Sequence, residues 1–118
     1  SRNFSIMKGA SATALLSSAT FTASATATTA NLTLFETDGS PAPALNTNIL
    51  GWVSSDNGTN YTQVSLVNMG YYGSDNSTAK ILSGTIPIAT AQGSQMRWKV
   101  TMAGEKKFTL NGVGLTWK

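Results

Sequence analysis

Five carboxylates, Glu36, Asp38, Asp56, Asp75 and Glu105, are the side chains best able to do acid–base chemistry here, because the chain has no histidine and no cysteine. Lacking histidine, it lacks the commonest general base and the commonest transition-metal ligand. Lacking cysteine, it has no thiol nucleophile, disulfide or thiolate metal site. A nucleophile activated by His or paired as Cys–His cannot be built from this chain. Glycoside hydrolysis would need only two carboxylates, ~5–9.5 Å apart across the scissile bond. Glu36 and Asp38 are close in sequence, but all five acids lie at or beside predicted turns, where a carboxylate is expected to be solvated. The sequence therefore predicts no catalytic residue, no metal ligand and no cofactor. Asp56-Asn57-Gly58 could feed a calcium loop through its oxygens, but so thin a supply of carboxylate favours a structural turn there.

The aromatics point to binding. Trp52, Trp98 and Trp117 fall on predicted strands and are expected to pack in the core. Tyr61, Tyr71 and Tyr72 fall at or near loops. An exposed ring beside amide and carboxylate groups suits a sugar, since the ring stacks on the pyranose face while the polar groups bond its hydroxyls. The segment Tyr71-Tyr72-Gly73-Ser74-Asp75-Asn76 fits that description best. Tyr71, Tyr72, Asp75 and Asn76 are the candidate carbohydrate-binding residues, with packing against the same or a neighbouring subunit as the alternative.

Composition narrows the partners. Charged residues make up 11% of the 118 residues, against ~25% in an average soluble protein. Hydrophobic residues at 41% and a net charge of +3 exclude a charge-driven disordered chain. The basic residues are scattered and do not alternate with aromatics, so no nucleic-acid surface is expected. No run approaches the ~20 apolar residues of a membrane span, so no membrane insertion is expected. A chain without cysteine is unremarkable for a protein made in bacterial cytoplasm.

The elements that must hold these residues are strands. Alternation with a period of two dominates, and no helical stripe is found. Residues 3–8 form one candidate strand. In residues 18–28, Ala19, Phe21, Ala23, Ala25 and Ala27 share a face opposite Ser and Thr. Ala30, Leu32 and Leu34 restart the alternation after the break at Thr28-Thr29. Asp38-Gly39-Ser40-Pro41 turns the chain, and Pro41 and Pro43 rule out a central strand there. Residues 48–54 and 61–67 form a predicted hairpin about Asp56-Asn57-Gly58, and residues 70–76 a polar loop. Further strands follow at 80–88 and 96–102, where Met96, Trp98, Val100 and Met102 face inward. Residues 107–110 are expected to pair back on 96–102, with a bulge at 111–114 before Leu115-Thr116-Trp117 closes the domain. Strands at this spacing, joined by Gly, Pro, Asn and Asp turns, predict an all-β antiparallel β-sandwich, jelly-roll-like, with a small barrel as the rival. Residues 1–118 read as a single domain, with 1–17 as a loosely attached N-terminal arm.

The second half carries a resemblance. Gly51-Trp52-Val53-Ser54-Ser55-Asp56-Asn57-Gly58-Thr59-Asn60-Tyr61-Thr62 precedes Gly93-Ser94-Gln95-Met96-Arg97-Trp98-Lys99-Val100-Thr101, and Phe108-Thr109-Leu110-Asn111-Gly112-Val113-Gly114-Leu115-Thr116-Trp117 follows. That order resembles a β-rich domain found at or near the C-terminus of bacteriophage tail-fibre and other virion structural proteins. The resemblance covers roughly residues 30–118. Ser55 stands where the pattern has Arg, and Asn111 where it has His, so a site built on those two residues is not expected to carry over. Residues 54–61 also resemble the Asp-box hairpin of sialidase propellers; one copy cannot make a propeller, so sialidase activity does not transfer. The tail-fibre resemblance implies location on a virion, at the tail or capsid surface. It also implies homotrimerisation, contact with other virion proteins and recognition of a host-surface glycan. The rival expectation is a purely structural capsid-decoration or tail-assembly role.

Overall fold

A computed structural model of the chain describes residues 2–5, 15–17, 20–22, 28–71, 79–88, 95–104, 106 and 108–118. Ten strands appear in it: β1 (Arg2–Ser5), β2 (Leu15–Ser17), β3 (Phe21–Thr22), β4 (Thr29–Asp38), β5 (Ile49–Ser54), β6 (Thr62–Val64), β7 (Val67–Tyr71), β8 (Ala79–Pro87), β9 (Gln95–Met102) and β10 (Phe108–Trp117). No helix occurs among the described residues. The first sheet has the order β1-β10-β4-β8-β7; the second runs β2-β9-β5-β6, with β3 also paired to β9. All pairings between these strands are antiparallel. The sheets face one another and do not close into a barrel, so the expected β-sandwich is the architecture and the small barrel is not. Within the first seventeen residues, Arg2–Ser5 pairs with β10 and Leu15–Ser17 with β9.

Alternation explains the core, because successive side chains of a strand point to opposite faces. On β4 the buried residues are Ala30, Leu32, Leu34 and Glu36; on β9 they are Met96, Trp98, Val100 and Met102. Register sets these into rows across the inner face of the first sheet. Trp117, Ala30 and Ile86 form one row; Leu115, Leu32 and Gly84 form the next; then come Val113, Leu34, Leu82 and Asn68. Trp98 and Trp117 are buried, as their strand positions suggested. A Cβ on Gly84 would lie 2.4 Å from the Ser65 carbonyl oxygen, so only glycine lets the β6–β7 crossing pass over β8.

Three local expectations are corrected. The predicted 61–67 strand is split: Thr62–Val64 pairs with β5, while Val67 opens β7 in the other sheet. The chain therefore changes sheets at Ser65-Leu66, where Asn46 accepts from the Leu66 N–H and donates to the Leu66 carbonyl, both at 2.8–2.9 Å. Residues 108–110 do not pair back on β9; they belong to β10, which lies between β1 and β4. Tyr71, expected in a loop, ends the edge strand β7. The bulge expected around 111–114 coincides with a register shift between Leu110 and Gly112.

Candidate functional site

The inner face of the first sheet ends in a row unlike the others. Leu110, Glu36, Lys80 and Tyr71 lie side by side across β10, β4, β8 and β7. Asp38, two residues beyond Glu36 and on the same face, pairs with Phe108. Leu110 and Glu36 are buried, Lys80 is half-buried, and Tyr71 is 62% exposed at the sheet edge. The row thus runs from apolar core to solvent through an acid and a base.

The expectation that all five acids are solvated fails at Glu36, which is only 1% exposed. The physical reason is phase: Glu36 continues the buried series Ala30, Leu32, Leu34, and strand geometry leaves it no way out. Burial raises its pKa to about 8; a hydrogen bond to Asp38 and that residue's charge add to the rise, while Lys80 opposes it. At neutral pH Glu36 is therefore an uncharged acid donating to Asp38. Its other oxygen, Oε2, is buried without a hydrogen-bond partner. At Asp38, burial acts to raise the pKa but is outweighed by hydrogen bonds from Glu36 and Lys80 and by the Lys80 charge, so the carboxyl is held below its ordinary value. Lys80 Nζ lies 2.5 Å from Asp38 Oδ2, and that hydrogen bond raises the ammonium pKa. Glu36, Asp38, Lys80, Asn68, Pro43, Leu45, Ile49 and Leu82 line a hollow of about 90 Å³.

As a glycosidase pair this arrangement has the wrong spacing. Glu36 and Asp38 share a hydrogen bond, whereas glycosidases hold their two carboxyls ~5 Å or more apart around the reacting carbon. The row brings an exposed ring, an ion pair and an amide together towards one sheet edge, with Glu36 Oε2 buried behind them.

Of the candidate carbohydrate residues, the structure places Tyr71 opposite Lys80. Tyr72, Asp75 and Asn76 lie outside the described residues. Lys80, which Tyr71 faces, and Asn68 were not singled out from the sequence, and Glu36, one strand beyond Lys80, was named there only among acids expected to be solvated. The usable signal was the alternation: Glu36 and Lys80 are both in phase with buried leucines on their own strands.

The remaining loci are built for stability. Asn57 and Gly58 take φ of 61° and 86°, and Asp56 accepts from the Asn60 N–H at 2.8 Å, the Asn60 amide at 2.9 Å and the Ser54 hydroxyl at 2.7 Å. Those bonds hold the Asp56 pKa below its ordinary value and use its oxygens inside the turn. Trp52 turns away from the core: it is half-buried on the outer face of the second sheet, where its indole N–H donates to Thr101 at 3.0 Å. Lys99 lies over Trp52 and Tyr61, 4.9 and 4.3 Å from their ring centres. A wider hollow of about 360 Å³ is bordered by Thr29, Asn31, Thr85 and Thr116 on the outer face of the first sheet. The Asn31 amide there already donates to Ser83 and Thr85 and accepts from Thr33.

No known protein-family model and no curated protein gives a significant match to the chain.

Proposed function

We propose that this chain is a non-catalytic binding module of a bacteriophage virion appendage, borne on the tail or capsid surface and holding a host-surface glycan. The observation that carries the reading is Tyr71, an exposed ring on a strand paired on one side only among the described residues, next in its row to Lys80 and then Glu36. An aromatic face flanked by paired charges and amides matches the amphipathic surface of a sugar. The direct contact between Glu36 and Asp38 supports binding without turnover. The virion location, the homotrimeric state and contact with other virion proteins rest on the resemblance carried by residues 30–118.

The test is a glycan array probed with the wild-type chain and with a Tyr71→Ala/Tyr72→Ala double variant. Binding that disappears in the variant, with an unchanged circular-dichroism spectrum, supports the reading. Absence of binding to any host-surface glycan overturns it.

A second reading, a purely structural role in capsid decoration or tail assembly, is favoured by one observation. Val67 and Met69, 56% and 64% exposed, stand with Tyr71 on an edge strand that is paired on one side only among the described residues. Natural edge strands usually carry charge or proline against unwanted pairing, and this one carries neither. Copies arrayed stoichiometrically on the particle, with no sugar binding, would favour that role.

A further inference from the structure

We propose that the outer face of the first sheet is the surface through which copies of this chain pack on one another. The inference gives the self-association proposed above a location. It does not depend on the glycan reading, whose Tyr71 row lies on the opposite face.

Charge comes first. Strands β10, β4 and β8 carry three charged residues, Glu36, Asp38 and Lys80, and all three lie on the inner face. Their outward positions hold only Thr, Ser, Asn, Gly, Ala, Pro, Phe and Ile. The second sheet shows the usual arrangement, with Arg97 and Lys99 turned outward on β9. An antiparallel sheet with one face in water ordinarily keeps its polar and charged residues on that side. Interfaces instead deplete charge at their centre and leave it at the rim. Here Phe35 pairs with Ile81 near the middle of the face, and Val67, 56% exposed, stands in the next row beside Ser83. Cations stand at the margins: Arg2 opposite Thr116 on β1, and exposed Lys118 just past β10.

Hydrogen bonding selects the occupant. The polar side chains of the face satisfy one another. The Asn31 amide donates to Ser83 at 3.2 Å and to Thr85 at 2.9 Å, Thr33 donates to Asn31 at 2.9 Å, and Asn111 donates to Thr37 at 2.9 Å. Groups already paired can be covered without stranding a donor or acceptor. They leave little for a sugar or a charged partner to bond. A second copy of the same face, neutral and closed in the same way, strands nothing and brings no like charge. In a chain of net charge +3, such a face is where two copies meet least repulsion.

The area suffices. Three strands of nine or ten residues and two of four or five build the sheet. At ~3.3 Å per residue and ~4.8 Å between strands, they present roughly 600 Å². Two such faces bury about 1,200 Å², where specific interfaces begin and above the ~800 Å² of most crystal-packing contacts.

Sedimentation equilibrium on the intact chain reads the outcome. At about 100 µM the wild type is expected at a multiple of its 12.3 kDa mass. Lysines at two exposed positions of the face, Thr85→Lys with Val67→Lys, should raise the dissociation constant about a hundredfold or more with an unchanged circular-dichroism spectrum. Gln63→Lys, exposed on β6 of the second sheet, should leave the mass unaltered. Should the double variant not fold, a soluble gadolinium chelate added to the ¹⁵N-labelled wild type decides the matter. The Asn31 and Asn111 side-chain amides are expected to lose their relaxation enhancement as protein concentration rises. A monomeric wild type would overturn the proposal and leave this face to another virion protein or to solvent. An oligomer that keeps its mass in the folded double variant, that Gln63→Lys breaks, or that leaves both amides open to the chelate would overturn this face while self-association stands. A blank glycan array overturns the glycan reading and none of these outcomes.

Discussion

Replacing Glu36 by glutamine should stabilise the domain at neutral pH, and the size of the gain can be worked from the geometry. Glutamine keeps the shape of the side chain. Its NH₂ can donate to Asp38 as the protonated acid does, and its carbonyl can take the position of Oε2. What it removes is the titration. In the unfolded chain Glu36 ionises near its ordinary value of 4.5, whereas in the fold it holds its proton until about 8. Its folded pKa is raised, so its contribution to stability is complete below pH 4.5 and is lost as pH rises towards 8, where the loss levels off. Each pH unit in that window costs about 1.4 kcal/mol. From pH 4.5 to 7 the wild type should thus lose on the order of 3 kcal/mol that Glu36→Gln retains. Against a typical total of ~5–15 kcal/mol this is a large effect.

Asp38 acts in the opposite sense: held low, it contributes above its ordinary 3.8 and loses that contribution as pH falls below it. The wild type should therefore be most stable near pH 4–5. Urea unfolding at pH 5, 6, 7 and 8, followed by the fluorescence of buried Trp98 and Trp117, measures both proteins on one scale. The two should nearly coincide at pH 5 and separate steadily to pH 8. Parallel pH profiles, or a variant less stable than wild type at pH 7, would refute the account of Glu36 as a buried neutral acid.

Other expectations can be checked on the same apparatus. Gly84→Ala drives a methyl against the Ser65 carbonyl and Val64, and should cost roughly 2–3 kcal/mol in urea unfolding. Lys99→Met keeps the aliphatic stem over Trp52 and Tyr61 but removes the cation, and should cost about 0.5–1 kcal/mol by the same measurement. Asp56→Ala strips the acceptor from the Ser54–Asn60 turn. It should lower stability by roughly 1–2 kcal/mol at pH 7 and by less as pH falls below 3.8, where the unfolded chain takes up a proton that the folded carboxylate, held lower, still refuses.

Much of this fold could be read from alternation and turn chemistry, because both act locally. Ala30-Leu32-Leu34 and Met96-Trp98-Val100-Met102 name their own buried faces, and Asp56-Asn57-Gly58 announces a reversal. Alternation gives the face of a strand and is silent on its neighbour. That is why residues 107–110 were expected beside β9, although β10 is inserted between β1 and β4. The same silence joined Thr62–Val64 to Val67, which belong to different sheets. At β5 the pattern was ambiguous. Gly51, without a side chain, takes the inward position against Leu32, so the outward turn of Trp52 could not be read from a run of apolar neighbours. Glu36 shows the opposite failure. Its phase was legible, but its charge suggested solvent, and only the register with Lys80 shows how an acid can be tolerated there. Tyr71 was found as an exposed aromatic, while Asn68 and Lys80 beside it depend on a pairing across two strands.

The central claim is that the edge row of the first sheet holds a host-surface glycan. The most direct measurement is the chemical-shift footprint of an array-positive glycan on the ¹⁵N-labelled chain. The account predicts saturable shifts concentrated at Asn68, Tyr71, Lys80 and the neighbouring Glu36–Asp38 segment. A footprint centred on Trp52, Tyr61 and Lys99, or no saturable shift at all, would contradict it.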